Sequence, residues 1–294
     1  MKIVILGSGP AGLMAAEAAM NAHKYRGMPH DLDIAILSLG FKSPLYGCQY
    51  LHKPIPGVTP NKVENVGYRL IGTPEQYRTK VYGPTWVGPV SPEDLTEEHL
   101  AWDIRETYEQ LWTTWSIAIQ NRNVTPAMLV SLLEDQSIDL IINSIPRPTL
   151  CHQGHTFGAT TIWAAGDAPD LGIKIPYKSP EAMVTCNGED SPAWYRMSRV
   201  FGHTTVEWPG GISLVPVQTA SKVQKPTTHD CTCWHPCDES FNGRPLSERL
   251  MHVGRYGRWE KGVLSHTAYF DVLSVVEDKL MEGVGSVTAD EEGA

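Results

Sequence analysis

Lys2-Ile3-Val4-Ile5-Leu6-Gly7-Ser8-Gly9-Pro10-Ala11-Gly12-Leu13, running on into the alanine-rich stretch Met14 to Ala22, decides how the rest of the chain is read. Ile3 to Leu6 is a short apolar run, β-branched at three of four positions and bounded by glycine, as a fully buried parallel strand should be. Leu13 to Ala22 has strong helix propensity. Asp33-Ile34-Ala35-Ile36-Leu37 reads as a second strand. Strand, glycine turn, helix and strand make one βαβ unit. Gly7-x-Gly9-x-x-Gly12 gives each glycine a task. Gly7 allows the tight turn off the strand. Gly9 leaves space for a phosphate to approach the backbone. Gly12 lets the helix pack close to the strand. The helix N-terminus then offers free amide hydrogens and a partial positive charge to a pyrophosphate, so Gly7, Ser8, Gly9, Pro10, Ala11 and Gly12 are the expected dinucleotide contacts.

One position departs from the pattern. The second strand of such a Rossmann unit ordinarily ends in a carboxylate that bonds the adenosine ribose. Here it ends Leu37-Ser38-Leu39-Gly40. Ser38 bonds a ribose hydroxyl more weakly, or Ser38 with Lys42 and Ser43 cradles a 2′-phosphate, as NADP carries. Plain NAD is the least favoured ligand.

Beyond Gly40 the pattern dissolves into prolines and glycines, with short alternating pieces at Tyr68 to Ile71 and Tyr77 to Val81 that read as strands. Ser91-Pro92-Glu93-Asp94 has the form of a helix start, and a long helix, continuous or with one break, is expected over Leu95 to Ala118, with Trp102, Leu111 and Trp115 on its buried face. Thr125-Pro126 opens a helix over Ala127 to Glu134. Asp139 to Ile145 is a buried-type strand stopped by Pro146. Cys151 to Pro245 is irregular and β-like, clearest at Thr160 to Ala164. Gly254 to Trp259 is a glycine-punctuated turn. A helix is expected over Val263 to Met281, with Leu264, Ala268, Val272 and Val275 or Val276 at helical spacing. The tail from Gly283 is acidic and expected to fray.

With 294 residues, 41% of them hydrophobic, the chain can bury a sizeable core. A net charge of -9 repels phosphate backbones, so broad nucleic-acid binding is not expected. There is no run of eighteen apolar residues, the start does not read as a signal peptide, and six cysteines are few for a secreted scaffold. A cytoplasmic protein without a membrane span is the expectation.

Gly7 to Leu13 resembles the FAD loop of the two-dinucleotide-binding-domain flavoproteins, and within them the branch holding UDP-galactopyranose mutases and amine oxidases. Asp139 to Pro146 resembles that branch's returning strand. Gly254-Arg255-Tyr256-Gly257-Arg258-Trp259, followed directly by a helix, resembles its C-terminal flavin motif. The chain as a whole is similar to small FAD-dependent oxidoreductases encoded by bacteriophages, through Tyr46-Gly47-Cys48-Gln49-Tyr50-Leu51-His52 and Lys80-Val81-Tyr82-Gly83. The resemblance implies an α/β fold: a Rossmann-like FAD domain with a parallel sheet, built from residues 1–48, 117–147 and 247–282. A smaller, mainly antiparallel β region over 49–116 and 148–246 would face a small-molecule or modified-nucleotide substrate. It also implies FAD contacts at Gly47, Gly254, Arg255, Gly257 and Trp259, although only one glycine stands where larger relatives have a pair near Gly47. The implied activity is hydride exchange between flavin N5 and the substrate, with mutase-type use of the flavin as a variant. The alternatives are an NADP-dependent reductase without flavin and a non-catalytic dinucleotide-binding protein with a structural zinc. No side chain stands out as a general acid or base. His52 is a weak candidate for the substrate face, and Asp167 resembles a flavin-contacting Gly-Asp motif but lies in mid-chain.

His229 to Cys237 packs three cysteines and two histidines into nine positions, and thiolates with imidazoles suit zinc. Cys231, Cys233, His235 and Cys237 are the candidate ligands, with Cys151-His152-x-x-His155 able to supply distant ones. A redox-active thiol pair facing the flavin and ordinary loop cysteines are the competing readings.

Overall fold

A computed structural model describes residues 1–26, 31–84, 95–165, 182–212, 220–233, 240–241 and 244–287. The expected helix start at Ser91 to Asp94, the Gly166-Asp167 pair, and His235 and Cys237 lie outside the described residues. In chain order the elements are β1 (Lys2–Leu6), α1 (Pro10–Arg26), β2 (Asp33–Ser38), β3 (Val63–Ile71), α2 (Pro74–Tyr82), β4 (Glu98–Trp102), α3 (Ile104–Trp115), β5 (Ile119–Asn121) and α4 (Pro126–Glu134). Then follow β6 (Leu140–Asn143), α5 (Arg147–Leu150), β7 (Phe157–Ala165), β8 (Met183–Asn187), β9 (Arg196–Val200), β10 (His203–Pro209) and β11 (Ala220–His229). Two short strands, β12 (Ser240–Phe241) and β13 (Arg244–Pro245), precede α6 (Leu246–Arg249), β14 (Leu250–His252), α7 (Gly254–Arg258) and α8 (Thr267–Val287). No helix among the described residues is long and apolar enough to cross a membrane.

The chain divides into two compact units: Met1–Ser43, Tyr108–Phe157 and Thr228–Ala294 in the first, Pro44–Thr107 and Gly158–Thr227 in the second. Beside residues 1–43, 117–147 and 247–282, the first unit includes the stretches at 108–116, 148–157 and 228–246, while 44–48 falls in the second unit.

A five-stranded, all-parallel sheet in the order β14-β6-β1-β2-β5 forms the centre of the first unit. β1 is in the middle because its apolar run tolerates burial on both faces. Val4 and Leu6 pack with Leu129 and Leu133 of α4 and with Ile141 and Leu250. Ile3 and Ile5 point to the opposite face and are fully buried. Leu13, Met14, Ala15, Ala16, Ala18, Ala19 and Ala22 of α1 are likewise buried. Alanines let α8 approach α1 closely, and Asn21 Nδ2 donates to the Tyr269 hydroxyl across that interface at 3.0 Å. Ala268, Val272 and Val276 of α8 are buried as the spacing predicts. The helix runs from Thr267 through Val287, so it begins later than Val263 and extends past Gly283, while the rest of the acidic tail, 288–294, lies outside the described residues.

The second unit holds a seven-stranded sheet in the order β11-β7-β10-β9-β8-β3-β4. Its pairings are antiparallel at β7–β10, β10–β9, β9–β8 and β3–β4, and parallel at β3–β8. The α/β class with a parallel sheet and a mainly antiparallel region therefore matches the expectation.

Two local readings are corrected. Tyr77 to Val81 is helical, within α2, and not a strand. Thr73 caps it in a capping box: the Gln76 amide donates to Thr73 Oγ1 at 3.2 Å and the Thr73 amide to Gln76 Oε1 at 2.8 Å. The long helix over Leu95 to Ala118 is divided. Glu98–Trp102 is an edge strand paired with β3, and the helix begins only at Ile104. Asp103 stops the strand and starts the helix by accepting from the Arg105 and Glu106 amides at 2.8 and 3.2 Å. Leu111 and Trp115 share the helix's buried face, whereas Trp102 belongs to the strand.

Candidate functional site

The carboxyl ends of the parallel strands are the place to look for a ligand. From β1 the chain passes through α1 to β2 on one side, and α4 later brings it to β6 on the other side of β1. Such a reversal opens a crevice beyond the strand ends. The glycine loop occupies that position.

The three glycines differ in what enforces them. Gly7 has φ +102°, and a Cβ there would lie 2.6 Å from Ser144 Oγ and 2.8 Å from Ile145 Cγ2. A Cβ on Gly12 would lie 2.1 Å from the Gly7 carbonyl oxygen. Both are required by the fold itself: the first by a left-handed turn, the second by the approach of α1 to the loop. Gly9 is required by neither. Its φ is ordinary, and the nearest atom to a Cβ there is Ser43 Oγ at 3.7 Å. Gly9, Pro10 and Ala11 are partly exposed, and the first turn of α1 carries no acidic residue.

The loop is held from several sides. The Gly7 amide donates to the Leu37 carbonyl at 2.9 Å. Ser144 Oγ donates to the Leu6 carbonyl at 2.7 Å. The Tyr108 hydroxyl donates to the Ser8 carbonyl at 2.7 Å and accepts from the Ser43 amide at 3.1 Å. Burial raises the Tyr108 phenol above its ordinary range despite the Ser43 bonds, so the donor is a neutral hydroxyl. Nothing in the sequence marked Tyr108; its role depends on where α3 lands.

Ser38, at the end of β2, shares a hydrogen bond of 2.6 Å with Ser8 through their hydroxyl oxygens. Lys42 is ion-paired with Glu109 and lies 5.5 Å from the Tyr108 ring centre. Leu39 and Phe41 are 51% and 60% exposed, so two apolar side chains face solvent next to Ser38.

The C-terminal motif arrives at the same end of the sheet. β14 pairs with β6, and the Val253 amide donates to the Asn143 carbonyl at 2.8 Å. Gly254, with φ +67°, is so close to the loop that a Cβ would lie 2.6 Å from Ala11 Cβ. A Cβ on Gly257 would lie 2.4 Å from the Asn143 carbonyl oxygen. The motif is a short helix, α7, where a plain turn was expected, ended by Trp259 in the left-handed conformation. Trp259 is buried, with its ring edge-on to Phe157 at 5.7 Å and to Tyr256 at 6.3 Å, while Arg255 is partly exposed. The structure thus brings Gly7 to Gly12, Ser38, Gly254, Arg255, Gly257 and Trp259 into one unit.

Gly47 falls in the second unit. Its φ is +74°, and a Cβ there would lie 2.4 Å from Glu207 Oε1. Glu207 is 1% exposed. It accepts from the Cys48 amide at 3.1 Å and from the Tyr195 hydroxyl, and it is ion-paired with Arg196 and with Lys225, the latter at 2.7 Å. Burial alone would push its carboxyl up, but the two cationic groups outweigh burial and hold it well below the usual carboxylate range. Sequence reading missed this cluster, since its members are spread from Gly47 to Lys225. His52 lies among aromatic rings of the same unit, 4.7 Å from Tyr50 and 5.6 Å from His99 between ring centres, and burial lowers its pKa.

Of the metal candidates, Cys231 and Cys233 lie together in the first unit, joined by Cys151 and His155.

No family model matches the chain, and no curated protein matches it. Among solved structures, HpxO of Klebsiella pneumoniae complexed with FAD and uric acid aligns over 94% of this chain and 80% of its own, at 12% identity and TM-score 0.47. A 2-methyl-3-hydroxypyridine-5-carboxylic acid oxygenase aligns over 96% and 83%, at 13% identity and TM-score 0.48. The 2,6-dihydroxypyridine-3-hydroxylase of Arthrobacter nicotinovorans aligns over 94% and 83%, at 10% identity and TM-score 0.43.

Proposed function

We propose that the first unit binds FAD, with the diphosphate over the amides of Gly7 to Gly12, and that the protein is an FAD-dependent oxidoreductase acting on a small molecule. The observation that carries the reading is Gly9. Two of the loop's three glycines answer to the protein's own packing, whereas Gly9 has ordinary backbone and room for a side chain, with Ser43 Oγ at a van der Waals distance of 3.7 Å. A bare backbone at a helix N-terminus, at the carboxyl end of the central strand, is what a phosphate needs.

The remaining residues fit FAD better than NADP. Lys42, the cation nearest Ser38 in sequence, is paired with Glu109, whose carboxylate would oppose a 2′-phosphate. Ser38 Oγ offers a ribose bond without a formal charge. Leu39 and Phe41 offer apolar surface for an adenine. Gly254 and Gly257 pack the C-terminal motif against the loop and the end of β6, so the partly exposed Arg255 is in the same unit as the glycine loop. When bound, FAD supplies a ring that accepts or donates a hydride at N5. The chain's contribution is to fix the diphosphate, orient the cofactor and place charge.

Purified protein, incubated with FAD and desalted, is expected to retain about one flavin per chain, read from its visible absorption. Gly9→Val is expected to lose that flavin while unfolding at the wild-type temperature. Failure of the wild type to retain FAD, together with tight NADP binding, would overturn the proposal.

A further inference from the structure

The Cys/His cluster is independent of the dinucleotide reading and is built from two distant stretches. Cys151 and His155 lie between α5 and β7; Cys231 and Cys233 follow β11. Their four ligand atoms all lie within 4.8 Å of one another. Cys151 Sγ is 3.8 Å from Cys231 Sγ and 3.9 Å from Cys233 Sγ. His155 Nδ1 is 3.4 Å from Cys151 Sγ and 3.3 Å from Cys233 Sγ. A tetrahedron with metal–sulfur bonds of about 2.3 Å and metal–nitrogen bonds of about 2.05 Å has edges of about 3.8 Å between sulfurs and about 3.5 Å between sulfur and nitrogen. The observed separations are those edges. They are too long for a disulfide, which needs about 2.05 Å, and the cysteines are unpaired.

The surroundings suit a metal. Cys231 and Cys233 are each 3% exposed and belong to the first unit's core with Leu150, Val4 and Leu6, while Cys151 and Phe157 pack against it. Three thiolates around a divalent ion leave one net negative charge. Arg147, itself 7% exposed, supplies the opposite charge: its guanidinium donates to the Cys231 and Cys233 carbonyls at 3.4 and 3.5 Å. The two stretches are tied side by side, with the Thr156 amide donating to Asp230 Oδ1 at 2.7 Å and the Asp230 amide to the Thr156 carbonyl at 3.3 Å. Thr232 Oγ1 lies 3.5 Å from His155 Nε2, the ring nitrogen left over when Nδ1 faces the sulfurs.

We propose that Cys151 Sγ, His155 Nδ1, Cys231 Sγ and Cys233 Sγ bind one zinc ion as a closed structural site. Binding displaces three thiol protons and involves no change of oxidation state. Four protein ligands leave no position for a substrate or a reactive water. The ion fastens residues 80 positions apart, on either side of the Gly158–Thr227 segment that belongs to the second unit. The assignment exchanges His235 and Cys237 of the sequence-based set for Cys151 and His155.

The full chain, expressed in zinc-supplemented medium and purified under reducing conditions, is expected to carry about one zinc by elemental analysis. Cys151→Ser and His155→Ala are expected to fall below about a tenth of that, whereas His152→Ala, on the exposed neighbour, retains it. Because a ligand variant that fails to fold would also lose metal, the wild type supplies a second readout. X-ray absorption at the zinc edge should show three sulfurs near 2.3 Å and one nitrogen near 2.0 Å. Full zinc content in Cys151→Ser, a coordination shell without three sulfurs, a metal-free wild type that takes up no added zinc, or a disulfide from Cys151 to Cys231 or Cys233 would each overturn the assignment.

Discussion

At the scale of single residues, glycine identity has different causes at positions a few residues apart, and substitution separates them. Gly12→Ala puts a methyl 2.1 Å from a backbone carbonyl that cannot retreat without moving β1 or α1. It should lower the unfolding temperature by about 10 °C or yield insoluble protein. Gly9→Ala meets nothing closer than 3.7 Å, so its unfolding temperature should stay within about 2 °C of wild type, while FAD affinity drops at least about tenfold. Thermal melts and flavin titration of the pair test this; equal losses of stability would contradict it. Glu207 is the other residue on which much depends. Its folded pKa lies below the unfolded one, so its contribution is complete above the unfolded value of about 4.3 and is lost progressively as the pH falls below that. Glu207→Gln leaves Arg196 and Lys225 without their counter-charge and should cost about 3 kcal/mol at neutral pH. The stability of that variant should also fall less steeply between about pH 5 and pH 2, as urea midpoints at several pH values would show.

Elements explain where local sequence reading went astray. Tyr77 and Val81 are four residues apart, which fits one face of a helix as well as it fits alternation in a strand. The deciding signal was Thr73-Pro74-Glu75-Gln76, a capping box with proline at the first helical position. Thr73→Ala removes the side-chain acceptor of the Gln76 amide and is expected to cost about 1 kcal/mol, read as a shift of the chemical denaturation midpoint without a change of slope. Over Leu95 to Ala118 the cause is different. Leu111 and Trp115 supply true helical periodicity, but it does not reach back to Trp102, because the Asp103 carboxylate accepts from the Arg105 and Glu106 amides and starts the helix after β4. Pairing with β3 is a tertiary event, so Glu98 to Trp102 carried no strand signal strong enough to compete.

For the molecule as a whole, the order β14-β6-β1-β2-β5 matters more than any single strand, because the reversal about β1 is what makes room at the glycine loop. A ligand held there binds only the folded state. FAD at about a hundred times its dissociation constant should therefore stabilise the chain by about 2.7 kcal/mol, a rise in unfolding temperature that NADP at equal concentration should not match. Scanning calorimetry checks it, and an unchanged melt with FAD would refute it. The sequence by itself determined the βαβ start, the tight turn at Gly7, the close packing at Gly12, the extent of α4 and the buried face of α8, because each depends on residues close together in the chain. Only the tertiary structure decided that Gly254 abuts Ala11, that Tyr108 fastens Ser8, that Glu207 sits beneath Gly47, and that Cys151 and His155 complete the cluster begun by Cys231 and Cys233. These contacts join distant stretches of the chain, and loop closure over such distances leaves no periodicity or spacing in the chain to be read.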